Sequence, residues 1–408
     1  MTKFSPKKTL LLAGAGHAHI GMLRRFSAAR LKNTDTTDAD IHLISEQPQT
    51  IYSGMLPGWM AGHYQLHDIS IDIKSLCVRA GVRFIQQSLV KVNAASNKVV
   101  TTGDEQTDFD YDVLSLNTGA DTDMRWLYNH KDHRSDSDDT DVDVGAVNAH
   151  ADTDVIAIRP LSTFITQWQR ILKDAQSSEK YQLAIIGAGA AAIELVMAAQ
   201  VALRNINRHH QVILICGENL LSGFNSGFRQ RVIKQLHRHD ITIVRERASD
   251  YRDGKLSTTH KSLPINAVIA ATGVIGSAWT ASTDLEIEGD GFVAVNDKQQ
   301  SVSHPNVFAV GDVATRIDKY VAHSGVHSVH GGAVEADNLL AYLGDNVMKS
   351  YQPKSRTLYL LSCGDKYAIG SWGNVNLQGR WVWHLKKYID KRFIEADKKL
   401  TKVNAHLE

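Results

Sequence analysis

Cysteine is scarce in this chain of 408 residues: there are three, Cys77, Cys216 and Cys363, far apart and never in a C-x-x-C or comparable spacing. That excludes a locally encoded redox disulfide and leaves no cysteine signature for a metal; it fits a reducing compartment. Excess charge is equally scarce. The 45 Lys and Arg nearly cancel the 44 Asp and Glu, for a formal net charge of +1, so nothing argues for a nucleic-acid partner. No apolar run is long enough to span a bilayer, and Met1–Lys8 leads into Thr9–Ala13 without the h-region of a signal peptide. The expectation is a cytoplasmic protein with at most a surface contact to the inner face of the membrane. Hydrophobic (43%) and charged (22%) fractions are ordinary for a globular protein, and the length suggests about two to three domains, each able to bury a core.

What the chain does have is two glycine-rich turns, each after a short apolar run and before a helical pattern. The first is Gly14-Ala15-Gly16-His17-Ala18-His19 after Thr9–Ala13; the second is Gly187-Ala188-Gly189-Ala190-Ala191-Ala192 after Gln182–Ile186. That context is the one a dinucleotide fingerprint requires. The first glycine permits the tight turn, the second lets backbone approach the pyrophosphate, and the helix N-terminus then faces the phosphates. His19 and Ala192 stand at the third small position. Ala is tolerated there; His is bulkier, so the first helix is expected to sit further out or be re-angled. Two such sites imply two dinucleotides with electrons passing between them.

Each unit continues to a second strand ending in an acid. Ile41–Ser45 is followed by Glu46, further from Gly14 than the usual ~20 residues because of the polar connection Asn33–Asp40. Val212–Cys216 is followed by Gly217-Glu218. Both acids can accept from ribose hydroxyls. No Arg or Lys lies in Cys216–Phe228, which favours NADH over NADPH. Strands ending in Thr118-Gly119 and Thr272-Gly273 complete a weak internal repeat. Earlier in the chain, Ile51–Gly62 is punctuated by Gly and Pro, as a loop or broken helix holding backbone close to something. Asp121–Asp154 is Asp-rich without apolar periodicity, and reads as a mobile acidic insertion rather than a calcium loop, lacking that loop's glycine and distal Glu. Ile156–Asp174 reads as a linker and helix.

With Asn306-Val307-Phe308-Ala309-Val310-Gly311-Asp312 added, the ordered set resembles the pyridine nucleotide–disulfide oxidoreductase superfamily over nearly the whole chain outside the acidic insertion. Within it the chain is similar to type II NADH:quinone dehydrogenases, and most of all to the dehydrogenase-like FAD module associated with selenide, water dikinase, through Tyr52–Gly58, the Gly-x-Gly-His-x-His start and Arg380–Lys386 to Asp390–Phe393. The resemblance implies an α/β fold: two Rossmann-like three-layer domains and a small C-terminal α+β cap. It implies that Asp312 contacts the FAD ribityl hydroxyls, that the Thr-Gly turns lie beside the nucleotides, and that Glu194 lies near the nicotinamide. The cysteine pair of the disulfide reductases is missing from Tyr52–Gly58.

The implied activity is an FAD-dependent NAD(P)H dehydrogenase passing hydride from NADH to FAD and electrons to an acceptor such as a quinone. The alternatives are a flavoprotein acting on a selenium or sulfur species, or a low-turnover redox-sensing or docking module. The expected FAD set is Gly14, Gly16, His17, Ala18, His19, Glu46, Ser53, Pro57, Thr118, Gly119, Gly311, Asp312 and Gly325; the NAD set is Gly187, Gly189, Ala191, Glu218, Thr272 and Gly273; no metal is expected. Glu194, His323 and His327 are the catalytic candidates. His323, His327 and His330 fall at helical spacing, either as a proton relay or as packed and surface residues. His17 either meets the pyrophosphate, approaches the flavin edge or packs. The domains expected are 1–119 with 291–344 for FAD, 120–155 as the insertion, 156–290 for NAD(P)H, and 345–408 as the cap. In the last helix Trp381, Leu385, Tyr388 and Ile389 share a face, with Arg380, Lys386, Lys387, Lys391 and Arg392 over much of the rest. Residues 379–402 therefore read as an interfacial membrane helix, or as a helix packed on its own domain or a homodimer partner.

Overall fold

A computed structural model describes residues 7–32, 37–103, 107–127, 154–354 and 356–404, with side chains to residue 396. Most of the acidic stretch, 128–153, lies outside the described residues, while Asp121–Thr122 pairs antiparallel with Val274–Ile275.

In chain order the strands of the two central sheets are β1 (Thr9–Ala13), β2 (Asp40–Ile44), β3 (Arg83–Ile85), β4 (Val113–Leu116), β5 (Val155–Ala157), β6 (Gln182–Ile186), β7 (Gln211–Ile215), β8 (Thr242–Val244), β9 (Ala267–Ala270) and β10 (Val307–Ala309). The first sheet runs β10-β4-β1-β2-β3 and the second β5-β9-β6-β7-β8, all ladders parallel. In both, the glycine-turn strand is flanked by the acid-ended strand on one side and the Thr-Gly strand on the other. The repeat extends to single bonds. Gly14 N donates to Ile44 O at 2.8 Å and Asn117 N to Ala13 O at 2.8 Å; Gly187 N donates to Ile215 O at 2.9 Å and Ala271 N to Ile186 O at 2.8 Å. Strands covered on both faces must be apolar throughout, and Leu10, Leu11 and Leu12 are fully buried. Ile156, expected in a linker, belongs to the edge strand β5.

The helices are α1 (His17–Leu31), α2 (Leu56–Met60), α3 (Ile73–Ala80), α4 (Leu161–Gln176), α5 (Ala190–Ile206), α6 (Ser226–Arg238), α7 (Gly325–Leu343) and α8 (Arg380–Asn404). α1 packs on α3 and α7, and α5 on α4 and α2. The Tyr52–Gly62 segment straddles the halves: Met55 joins the first core, while Leu56, Met60 and Ala61 join the second beside α5. A three-stranded antiparallel sheet, β11 (Leu358–Ser362), β12 (Ala368–Trp372) and β13 (Val375–Gly379), contacts α5 through β11 and carries α8 on β12.

Candidate active site

In the first turn Gly14 has φ +90°, and a Cβ there would meet Asn117 O at 2.5 Å; one on Gly16 would meet Asn117 Oδ1 at 2.2 Å. The end of β4 demands these glycines directly. Asn117 Oδ1 accepts from Ala18 N (3.2 Å) and His19 N (3.4 Å), and its Nδ2 donates to Val310 O (2.6 Å). One buried amide thus ties the glycine turn, the Thr118-Gly119 turn and the Gly311-Asp312 turn together. An Asn before Thr-Gly carries no local signal for a contact some hundred residues away, so the sequence does not reveal this role.

Gly311 has φ +79°, and Asp312 follows with Oδ1 buried and without a hydrogen-bond partner. Its Oδ2 pairs with Arg159 Nη1 at 2.7 Å; Arg159 was not anticipated, since it stood in an assumed linker. A carboxylate with an open buried acceptor fits the hydroxyls of a ribityl chain. Thr118 Oγ1 accepts from Trp279 Nε1 at 3.3 Å. α7 starts with no side-chain cap and no acid in its first turn, with open space at Gly325; an uncapped N-terminus stabilises charge gathering before it. Ser53 is exposed, Pro57 is buried in α2, and Glu46 is exposed beyond β2.

The histidines separate. His17 packs edge-on to Tyr52 (centroids 5.5 Å apart) and 5.8 Å from Phe393; burial lowers its pKa to about 4, so it is neutral at pH 7. His19 is fully buried, slotted between the turn, β4 and α7. Gly332 of α7 lies so close to Ala18 that a Cβ would come within 2.5 Å of its Cα, so α1 stays tight against α7 despite the bulky His19. His323 precedes α7 and stacks on Phe292 at 4.3 Å. His327 Nδ1 lies 3.1 Å from Tyr351 Oη. These two line one cavity of about 40 Å³ with Arg316 and Ser324, while His330 is exposed.

At the second turn a Cβ on Gly187 would meet Ala271 O at 2.2 Å, whereas Gly189 faces open space. Gly189 caps α5 without a side-chain bond, and Gly189, Ala191 and Gly273 are exposed, a cradle open to a pyrophosphate. Thr272 Oγ1 donates to Asp123 O at 2.6 Å. Glu218 is exposed, and Arg245 Nη1 donates to its carbonyl at 3.4 Å. A guanidinium therefore stands beside Glu218, carried just after β8 and outside Cys216–Phe228.

Between the two turns lies a cluster built from four parts of the chain. Glu194, partly buried on α5, accepts from Ser362 N at 2.7 Å. Burial raises its pKa to about 7, against the pull of Lys386 and the Ser362 N–H. Lys386 is 9% exposed and donates to Gly54 O (2.6 Å) and Asp390 Oδ2 (2.8 Å). Burial would push its pKa down, but Asp390 and Glu194 raise it, so it stays charged. Tyr52 Oη donates to Asp390 Oδ1 at 3.1 Å, and its ring stacks on Phe393 at 4.7 Å; burial, then Asp390, push the phenol up. This corrects the reading of α8. Lys386 is not on the solvated face but points inward with Val382, Trp383, Asp390 and Ile394, while Trp381 (55%), Tyr388 (63%) and Ile389 (41%) are exposed.

Two parallel dinucleotide-type halves facing a shared polar cluster define a two-nucleotide oxidoreductase architecture. The pattern of the family described as pyridine nucleotide-disulphide oxidoreductase matches residues 10–325, and the chain belongs to that family. Ferroptosis suppressor protein 1 of Taeniopygia guttata is 25% identical over 226 residues, 52% of this chain and 58% of that one; the chain thus spans little more than half the length of that relative. The sulfide:quinone oxidoreductase of Aquifex aeolicus superposes with TM-score 0.73 at 16% identity, covering 95% of this chain and 92% of that one. NDH2 of Plasmodium falciparum, solved with NADH, gives 0.72 at 14% identity, covering 96% and 98%. At such identities these structures establish the fold.

Proposed function

We propose that the protein is an FAD-dependent NAD(P)H oxidoreductase that takes hydride from NADH and passes electrons to a small acceptor, a quinone, without a redox-active disulfide. The carrying observation is the Glu194–Lys386–Asp390–Tyr52 cluster, which is rich in proton donors and contains no thiol. In this reading the FAD domain takes 1–119 with 291–344 and the NAD(P)H domain 156–290, although Trp279 and Leu285 pack into the core of the FAD half.

The turn Gly14–His19, Thr118-Gly119, Gly311-Asp312 and the N-terminus of α7 would hold FAD; Gly187, Gly189, Ala191, Glu218 and Thr272-Gly273 would hold the nicotinamide nucleotide. Bound FAD supplies the hydride acceptor and electron store that no side chain provides. The protein's part is orientation and protons. Reducing a quinone to a quinol consumes two electrons and two protons, and a hydride donor delivers only one proton equivalent with its electron pair. Lys386, held charged beside Glu194, can hydrogen-bond an acceptor oxygen, and Glu194, titrating near neutrality, can hold and release the second proton. Cys77, Cys216 and Cys363 are all buried, and burial pushes each thiol up, Cys77 to about 12, which suppresses thiolate chemistry.

No described helix is long and apolar enough to cross a membrane. The exposed Trp381, Tyr388 and Ile389 beside Arg380, Lys391 and Arg392 support a peripheral contact of α8 with anionic lipid. The function is tested by mixing NADH-reduced, FAD-loaded protein anaerobically with a soluble quinone. Rapid return of the flavin band supports the proposal; reoxidation no faster than that of free reduced FAD contradicts it.

A further inference from the structure

His19 occupies the position where a dinucleotide turn normally has a third small residue, and it does more than fill space. Nδ1 lies 2.6 Å from Gly14 O, and Nε2 lies 2.6 Å from Ser115 Oγ. Ser115 Oγ lies 3.0 Å from Glu335 Oε1. All three residues are 0% exposed, and Glu335 Oε2 has no partner.

The protons on this line can be counted. A carbonyl only accepts, so His19 Nδ1 carries hydrogen. Burial lowers the imidazole's pKa to about 4, so Nε2 is bare at neutral pH and accepts from the Ser115 hydroxyl. That uses the only hydrogen Ser115 has. The remaining contact must then be donated by the carboxyl group, so Glu335 is protonated, as its burial requires. Ser115 from β4 and His19 from α1 are the polar groups facing it along this line. The chain of donors runs Glu335 to Ser115 to His19 to Gly14.

We propose that Glu335, Ser115 and His19 are positioning residues for FAD. They hold the Gly14 carbonyl, and with it the turn whose N–H groups would receive a pyrophosphate, against α7, whose uncapped N-terminus would lie toward the flavin. One line of three buried side chains therefore fixes, one against the other, two elements that would hold FAD. The inference rests on the assignment of FAD to the first turn.

The test is FAD affinity of the full chain, from flavin fluorescence on reconstitution, for Glu335→Gln, Glu335→Leu and Ser115→Ala, with NADH binding to the second site measured alongside. Gln can still donate to Ser115, so Glu335→Gln is expected within about twofold of the parent. Glu335→Leu and Ser115→Ala are expected to weaken FAD by roughly tenfold or more, the effect of one lost buried hydrogen bond with its partner left unsatisfied, while NADH binding is unchanged. The proposal is overturned if the broken-chain variants bind FAD like the parent, if Glu335→Gln loses as much as Glu335→Leu, or if FAD and NADH affinities fall together. A parent protein that takes up no FAD overturns the FAD assignment itself, and the positioning role with it.

Discussion

At the scale of single residues, two buried carboxyl groups divide the work. Glu194 and Glu335 both have pKa values raised by burial, to about 7 and about 8. For an acid raised in the folded state, the stabilisation is fully present below the unfolded value near 4.3 and is lost as pH climbs through the folded value. Glu335→Gln should therefore melt higher than the parent above pH 8 and show no such gain below pH 4, in thermal melts across that range. For Glu194 the readout is kinetic. Its proton is present below pH 7 and absent above, so quinone-dependent flavin reoxidation should fall as pH rises through 7, and Glu194→Gln should flatten that profile. Lys386→Met should slow the same step by roughly 10²-fold, the scale of one lost hydrogen-bond donor to developing negative charge, and leave reduction by NADH nearly unchanged in stopped-flow traces. Equal slowing of both steps would make Lys386 structural.

At the scale of elements, the turns were legible and the side-chain partnerships were not. A glycine between an apolar run and a helix signals a turn locally. Nothing local says that Gly16 is required by the amide of Asn117, or that Gly332 lets α7 close on Ala18. Adding a methyl at Gly332 forces two helices apart where a Cβ would sit 2.5 Å from Ala18; Gly332→Ala should cost about 1–3 kcal/mol in denaturant unfolding, as overpacking does. α8 is the sharpest case. Of the stripe its period gave, Trp381, Tyr388 and Ile389 are exposed and Leu385 is half-buried, but periodicity assigns every lysine to water by default. Lys386 and Asp390 fall one turn apart on the opposite ridge, and only the fold reveals that Gly54 and Tyr52 wait there. Because the two faces are separate, Trp381→Ser with Tyr388→Ser and Ile389→Ser should abolish pelleting with anionic liposomes while leaving NADH oxidation with a soluble acceptor intact. Pelleting equal to the parent's would remove the lipid contact.

At the scale of the whole molecule, the repeat of fingerprint, acid-ended strand and Thr-Gly strand pointed to two Rossmann-like units, because local patterns and chain order constrain βαβ units; the matching strand order of the two sheets came with the structure. What the repeat could not give is what meets between the halves. Arg159, Ser362 and Lys386 come from three distant stretches, and each reaches the site only through tertiary packing. On the proposed function, these two halves hold two nucleotides in direct electron contact. The deciding measurement is anaerobic titration of the FAD-loaded protein with NADH, following the flavin absorbance band: stoichiometric bleaching is expected, and a flavin that stays oxidised at excess NADH rules direct electron contact out.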